Sequence, residues 1–336
     1  MTGKLLYTPY PTLGVENGYT QKNIDILSSL GFDVQGEPLG TKARTQFVLR
    51  MLLKRDYEVI VLNWHEHLFC NRHTGSISLS GIIVYLFTLT IFRLSCRKVI
   101  YIRHNVVPHA LKHPFGRWLA KILMSIGQSI ADTKVSHSGH MAAKGYKYLP
   151  HPLYDTISPD KRTTKEELPN DYYAIFGRIE RYKNILPVIQ QWNHASWLVI
   201  AGNCKDTEYL QALHSAAEGK QVKFITRFIE ENDAQAILSG SKGLILSHSD
   251  EDMIVSGSFF YGLSCGIPVY AVTTPFLSWL QEEDLNAPIK VFESCEALLH
   301  HISSQKTQQT QADIAQYRTA NFGDQKVIEC WTEILN

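Results

Sequence analysis

At 336 residues, 44% hydrophobic and 19% charged, the chain is long enough to bury more than one core and too apolar to be disordered, and its composition is not that of an integral membrane protein. Its formal net charge of +1 hides an asymmetry: no Asp or Glu falls between His67 and Ala131, a stretch holding Arg72, Arg93, Arg97, Lys98, Arg103, Lys112, Arg117 and Lys121. Such a block predicts an anionic partner, either lipid headgroups or a phosphorylated substrate, for one part of the surface. It carries apolar segments and not the interleaved aromatic and basic residues of a stacking platform, so no nucleic-acid partner is expected.

The six cysteines (Cys70, Cys96, Cys204, Cys265, Cys295, Cys330) have no paired spacing, which predicts a reduced cytoplasmic compartment and argues against a zinc site. The opening MTGKLLYTPYP has no apolar run of signal-peptide length.

In chain order, Leu5 to Tyr7 reads as a strand, followed by a Gly-containing loop and a helix from Tyr19 to Leu30, the opening of a doubly wound α/β domain. Gly14 and Gly18 are too widely set for a dinucleotide fingerprint, and no matching acid follows, which disfavours a nicotinamide dehydrogenase. Glu58 to Asn63 is the next strand, and Trp64-His65-Glu66-His67 lies at its carboxyl end, where open α/β sheets bind ligands. A carboxylate between two imidazoles suits a general base with tuning partners. The two histidines alternate and so make a poor metal chelate; taken singly, each is more simply a loop histidine bonded to backbone.

Ile77 to Leu94 is the most hydrophobic run, but Ser78, Ser80, Thr88 and Thr90 dilute it, and it predicts a buried or interface-lying helix. A strand from Lys98 to Ile102 follows, and Arg103-His104-Asn105-Val106-Val107-Pro108-His109 puts a second polar cluster at a strand's carboxyl end. The helix Phe115 to Ile126 has Trp118, Leu119, Ile122 and Ile126 on one side and Arg117 with Lys121 elsewhere, a pattern for an interfacial amphipathic helix or for a core helix with solvated charges. Short strands at Ala131 to Ser136 and Tyr146 to Leu149 precede Pro150-His151-Pro152, and the polar stretch down to Asn170 reads as a linker.

The second half repeats the alternation, with strands at Tyr173 to Phe176, Trp197 to Ile200, Val222 to Ile225 and Gly243 to Leu246. Arg178 and Lys183 flank the turn at Gly177 and supply two cations able to grip a diphosphate. Ser256-Gly257-Ser258 sits at a helix start: a capping oxygen, bare backbone and the positive end of a helix dipole make an anion site or, more blandly, an ordinary capped helix. Asp252 just before it suits donor hydroxyls or the same dipole. The organisation expected is a domain over 1–152, a linker over 153–170, a domain over 171–310 and a helical segment over 311–336.

FGRIERYKNI (Phe176 to Ile185), VIAGN (Val199 to Asn203) and FITRFIEEN (Phe224 to Asn232), in this order, resemble the donor half of glycosyltransferases of the GT-B fold, over nearly the whole chain. That resemblance implies two facing Rossmann-like domains with a cleft between them, a C-terminal helix packing back toward the first, and a nucleotide sugar bound mainly by the second. It assigns the diphosphate to Arg178, Lys183, Ser256, Gly257 and Ser258, the base to backbone at Phe228 and Ile229, and donor hydroxyls to Asp252. Where retaining members carry two glutamates eight positions apart, this chain has Met253 and Tyr261. The Ser-Gly-Ser loop with Gly266-Ile267-Pro268, Trp64-x-Glu66 and His104-Asn105…Pro108-His109 is instead similar to bacterial exopolysaccharide transferases such as the β-mannosyltransferase of xanthan assembly.

That closer similarity implies an inverting, metal-independent hexosyl transfer needing no cofactor, from GDP-mannose first or a UDP-sugar second, to a lipid-linked or growing glycan. Glu66 is the expected base and His104 the second catalytic candidate, with Gly14, Gly18, Trp64, His65, Asn105 and His109 on the acceptor side. The cationic apolar block would hold the protein against the anionic cytoplasmic face of the inner membrane. A retaining transferase and a non-catalytic sugar-nucleotide binding subunit are the competing readings.

Overall fold

The computed structural model describes residues 3–8, 18–38, 41–71, 74–108, 111–158, 161–249, 254–304 and 310–336. Gly14, His109 and Asp252, singled out above, lie outside the described residues. The chain divides into two compact units, one of Met1–Pro152, Asp252–Val255 and Asp324–Asn336, the other of Leu153–Glu251 and Ser256–Gly323.

The first unit runs β1 (Lys4–Thr8), α1 (Gly18–Ser29), β2 (Asp33–Gln35), α2 (Thr41–Lys54), β3 (Tyr57–Asn63), β4 (Cys70–Asn71), β5 (Ser76–Ile77), α3 (Leu79–Ser95), β6 (Cys96–Arg103), α4 (Pro114–Ser129), β7 (Thr133–Ser136) and β8 (Lys147–Tyr148). Its main sheet has the order β2-β1-β3-β6-β7-β8 with every pairing parallel, and β4 and β5 form a small antiparallel hairpin. A parallel sheet is covered on both faces, which is why Val59, Ile60, Val61 and Leu62 run in succession without a polar residue and are all buried. On one face, Met51 of α2, Phe92 of α3 and Leu123 of α4 pack against this sheet.

α4 is apolar on two sides. Ala120, Leu123 and Met124 face the core, and Leu119 packs against it too, whereas Phe115, Trp118, Ile122 and Ile126 are exposed. The predicted stripe is thus corrected by one residue, with Leu119 turned inward and Phe115 outward. On α3, Leu79, Ile83 and Phe87 repeat every four residues and are exposed, while Tyr85, Leu89 and Phe92 are buried. No helix among the described residues is long and apolar enough to cross a membrane.

The second unit runs β9 (Tyr172–Phe176), α5 (Ile185–Gln191), β10 (Trp197–Ala201), α6 (Thr207–Ala217), β11 (Val222–Ile225), α7 (Glu231–Ser239), β12 (Leu244–Leu246), α8 (Gly257–Cys265), β13 (Val269–Val272), α9 (Pro275–Glu283), β14 (Ile289–Phe292), α10 (Cys295–Ser304) and α11 (Gln311–Phe322). The sheet order β11-β10-β9-β12-β13-β14, all parallel, is the doubly wound one, with strand order reversing between β9 and β12. The polar stretch 153–170 is laid along α7 in this unit: Ile157 N–H donates to Gln235 Oε1 at 2.7 Å, Gln235 Nε2 donates to the Asp155 carbonyl at 2.8 Å, and Arg162 Nη1 donates to Ser239 Oγ at 2.6 Å.

The C-terminal segment is two helices. Gly323 takes an extended conformation (φ −62°, ψ 157°) and ends α11 in the second unit, and α12 (Asp324–Leu335) belongs to the first. There Val327, Trp331 and Ile334 complete the second face of the β1–β3–β6 sheet with Leu27 of α1, and Trp331 Nε1 donates to Asn23 Oδ1 at 3.1 Å.

Candidate functional site

In an open α/β sheet the place for a ligand is the carboxyl edge where strand order reverses, because the loops on either side diverge there. In the second unit this edge is the end of β9. The register Ala201↔Phe176 brings the two following loops level, and Gly177 N–H donates to the Ala201 carbonyl at 3.0 Å while Ile179 N–H donates to that of Asn203 at 2.9 Å. Gly177 has φ +105° and Gly202 φ +154°, and a Cβ on Gly202 would stand 2.0 Å from the Gly177 carbonyl oxygen. Two glycines are therefore what lets these backbones touch.

Three groups converge on that turn. Lys183, on a short 3-10 turn ahead of α5, is buried, and its Nζ donates to the Phe176 carbonyl at 3.2 Å. Ser258, in the first turn of α8, donates its hydroxyl to the same carbonyl at 3.1 Å. A Cβ on Gly177 would meet Lys183 Nζ at 2.7 Å and Ser258 Oγ at 3.2 Å, so both side chains point at one spot. Burial pulls the Lys183 ammonium down to about 8, with the Arg178 charge acting the same way. Ser247 Oγ donates to the Lys183 carbonyl at 2.6 Å and fixes the turn from beneath. Ser256 caps α8, accepting from Phe259 N–H at 3.3 Å, so the open N–H groups and positive end of that helix lie beside the cation. Arg178 pairs with Glu180 at 2.8 Å and keeps its side chain largely exposed.

Phe228, in the loop before α7, is 76% exposed and Ile229 is half-buried beside it. Arg227, bonded to Glu166 and Asp233 at 3.1 and 2.7 Å, holds the base of this loop. Tyr261 stacks on Tyr154 with ring centroids 4.0 Å apart and donates to Glu231 Oε2 at 2.6 Å.

In the first unit the corresponding edge is formed by the ends of β3, β6 and β7. Trp64 leaves β3 in the left-handed region (φ 42°), an uncommon conformation for a bulky residue, and its ring stacks on His104 with centroids 4.1 Å apart. His104 Nε2 lies 2.9 Å from the side-chain oxygen of Asn63, and Tyr19 Oη lies 3.3 Å from that oxygen and 2.7 Å from His137 Nε2. His137 Nδ1 bonds the Leu149 carbonyl at 2.8 Å, and His151 Nδ1 bonds that of Pro152 at 2.7 Å. Burial holds these rings neutral: His137 is pulled down to about 4, and His104 and His151 fall well below the ordinary histidine value, each further lowered by neighbouring imidazoles.

The predicted four-residue cluster after β3 is divided by its 3-10 turn, His65–Leu68. His65 points into the core beneath α3, its Nε2 3.1 Å from Thr88 Oγ1 and its ring beside Tyr85 and Phe92, and desolvation brings it down to about 3. Glu66 is also buried, and its charge raises the phenols of Tyr85 and Tyr101, whereas His104 feels His137, His151 and His67. Asn105 lends its carbonyl to Arg103 Nε at 3.1 Å, and Gly18 begins α1. Tyr19, Asn63, His137 and His151 were missed from sequence. The signal that finds Asn63, His137 and His151 was there, since each stands at or just past the end of a strand, as His104 does.

No protein-family model matches this sequence, nor does any curated protein. Solved structures do match along the whole length. The Anabaena protein HepE, solved with UDP, is similar with a TM-score of 0.65 at 14% identity, covering 100% of this chain and 99% of that one. This chain has the GT-B fold. The same GT-B architecture relates it to AviGT4, a glycosyltransferase of avilamycin A biosynthesis (TM-score 0.58, 14% identity, 99% and 96% covered), and to the lipopolysaccharide outer core galactosyltransferase WaaB (0.59, 12%, 99% and 99%).

Proposed function

We propose that this GT-B chain is a metal-independent glycosyltransferase that moves a hexose, with inversion, from a nucleoside diphosphate sugar to a lipid-linked or growing surface glycan. The observation that carries it is the cradle at the end of β9: a buried ammonium, a hydroxyl and a helix N-terminus converging on one glycine turn. A departing diphosphate needs its developing charge stabilised, and fixed donors in a partly desolvated turn do this without reorganising. Arg178 closes from the exposed side, and the loop at Phe228 and Ile229 meets the base. GDP-mannose remains the first donor to test; the solved complexes of HepE with UDP and with UDP-glucose bring a UDP-sugar alongside it.

Glu66 takes the acceptor proton in this reading, and Trp64 and His104 line the acceptor side. His65, turned beneath α3, supports the turn and does not touch the acceptor. The exposed apolar residues of α3 and α4, with Arg93, Arg117 and Lys121 on the same helices, form the face that meets an anionic bilayer at the cytoplasmic side.

The test is transfer of labelled hexose from GDP-mannose and from UDP-glucose to a polyprenyl-diphosphate-linked acceptor, with the anomer of the product read by NMR. Inverted product that is lost in Glu66→Gln, with donor binding retained, is the expected result. Donor binding without any transfer would overturn the enzymatic reading, and a retained anomer would overturn inversion. Flotation with phosphatidylglycerol vesicles, diminished by Arg117→Glu with Lys121→Glu, is expected for the membrane face.

A further inference from the structure

A nucleoside diphosphate carries its ribose between the diphosphate and the base, so in a protein that holds both ends the pentose passes whatever lies between them. In the second unit the two ends are joined by an unbroken run of contacts. Lys183 and Ser258 meet at the Phe176 carbonyl, and the Phe176 ring lies beside that of Tyr261, with centroids 5.1 Å apart. Tyr261 stands three residues after Ser258 in α8, one turn along the same face. Its hydroxyl donates to Glu231 Oε2 at 2.6 Å, and Glu231 opens α7, three residues beyond Phe228 and directly after the loop assigned to the base. Glu231 therefore stands between the diphosphate cradle and the Phe228–Ile229 loop.

The carboxylate is held in one orientation. Tyr261 binds one oxygen, and Gln235 Nε2 donates to the other, Oε1, at 2.9 Å. The phenol is itself fixed by the Tyr154 ring stacked on it, and burial, the bond to Glu231 and the Glu231 charge push it up, so it stays a donor. Each carboxylate oxygen has about two acceptor directions, and Glu231 is exposed, so each oxygen keeps one for a ligand. A pinned pair of acceptors matches a vicinal pair of hydroxyls, which offers a donor to each; a carboxylate likewise meets ribose hydroxyls at the ligand edge of dinucleotide-binding sheets. We propose that Glu231, oriented by Tyr261 and Gln235, accepts the 2′ and 3′ hydroxyls of the donor's ribose and so restricts the donor to sugars carried on a ribonucleoside diphosphate, excluding 2′-deoxy carriers. This rests on the diphosphate reading of the Gly177 turn and narrows it: Lys183 and Ser258 recognise any diphosphate, and Glu231 recognises the pentose behind it.

The experiment is calorimetric titration of the full chain with GDP, UDP, their 2′-deoxy counterparts and inorganic pyrophosphate. Each 2′-deoxy form should bind about 10-fold or more weakly than its ribonucleotide, the loss of one hydrogen bond to a charged acceptor. In Glu231→Gln the ribonucleotides should weaken until that ratio falls toward one, with pyrophosphate affinity unchanged. Tyr261→Phe leaves the carboxylate but unpins it, and should reduce the ratio in part. A pair that only fastened α7 to α8 would leave the ratio as in wild type. Equal affinities of the wild type for ribo- and 2′-deoxynucleotides overturn the assignment, as does an unchanged ratio in a folded Glu231→Gln protein; if that variant does not fold, the wild-type ratios and Tyr261→Phe decide. Pyrophosphate separates this failure from failure of the diphosphate reading: that reading falls, and the ribose site with it, if pyrophosphate and the ribonucleotides alike fail to bind or bind Lys183→Met as well as wild type.

Discussion

Lys183 Nζ and Ser258 Oγ donate to one atom, the carbonyl oxygen of Phe176, although 75 residues separate them in the chain. The end of β9 thereby ties a buried cation to the first turn of α8. Neither donor is held by a carboxylate in these bonds, so an anion arriving at the Gly177 turn can recruit both. Lys183→Met should lower nucleoside diphosphate affinity about 10- to 100-fold, the range for losing one charge-assisted hydrogen bond. Ser258→Ala should cost less, about 10-fold or under. Calorimetric titration checks both; equal affinities in wild type and Lys183→Met would remove the diphosphate from this turn.

The two glycines of the same turn should respond differently to alanine. At Gly202 the added carbon meets backbone, the Gly177 carbonyl oxygen at 2.0 Å, and the whole loop must shift. At Gly177 it meets the tip of Lys183, which can move. Gly202→Ala is expected to destabilise the fold by about 2 kcal/mol or more, and Gly177→Ala by about 1, from backbone strain. Gly177→Ala should nonetheless lose as much nucleotide affinity as Lys183→Met. Urea unfolding alongside titration separates the two effects.

Lys183 titrates near 8 in the folded chain and near 10.5 when unfolded. Between those values the unfolded state holds the extra proton, so this residue makes stability rise with pH from about 8 to 10.5, by about 3 kcal/mol in total. Lys183→Met should flatten that rise. Bound diphosphate favours the ammonium, so nucleotide affinity should fall as pH climbs through 8, and binding there should take up protons from the buffer. A buffer-independent heat of binding at pH 8.5 would count against it.

The buried histidines work in the opposite pH range. His65 and His137 are lowered to about 3 and about 4, and His104 and His151 are lowered too, so in the window below the unfolded value of 6.5 the unfolded chain takes up protons that the folded one refuses. His65 and His137 should each cost about 2 kcal/mol of stability between pH 6.5 and pH 5, and His104 and His151 act in the same direction. The first unit is therefore expected to unfold in mild acid before the second. Tryptophan fluorescence and circular dichroism through that range, with His65→Phe as the variant that loses one such step, test this.

The α/β alternation, the two sheets and the turn residues Gly177, Arg178, Lys183, Ser256 and Ser258 were legible in the sequence alone, because apolar strand runs, helix caps and glycine turns are local signals. Weaker segments escaped: β2 is three residues long, and α9, though capped by Thr274 ahead of Pro275, has a short apolar face. What stands beside what was decided by tertiary structure. Whether a histidine after a strand stays at the sheet's carboxyl edge or turns beneath a helix depends on the turn it enters, and His65 and His104 part ways for that reason. The network of Tyr19, Asn63, His104 and His137 joins α1, β3 and the ends of β6 and β7, which only the parallel register brings to one edge. Burial, too, is a property of the packed fold: it pulls the Lys183 ammonium down to about 8, and it holds the histidine cluster neutral.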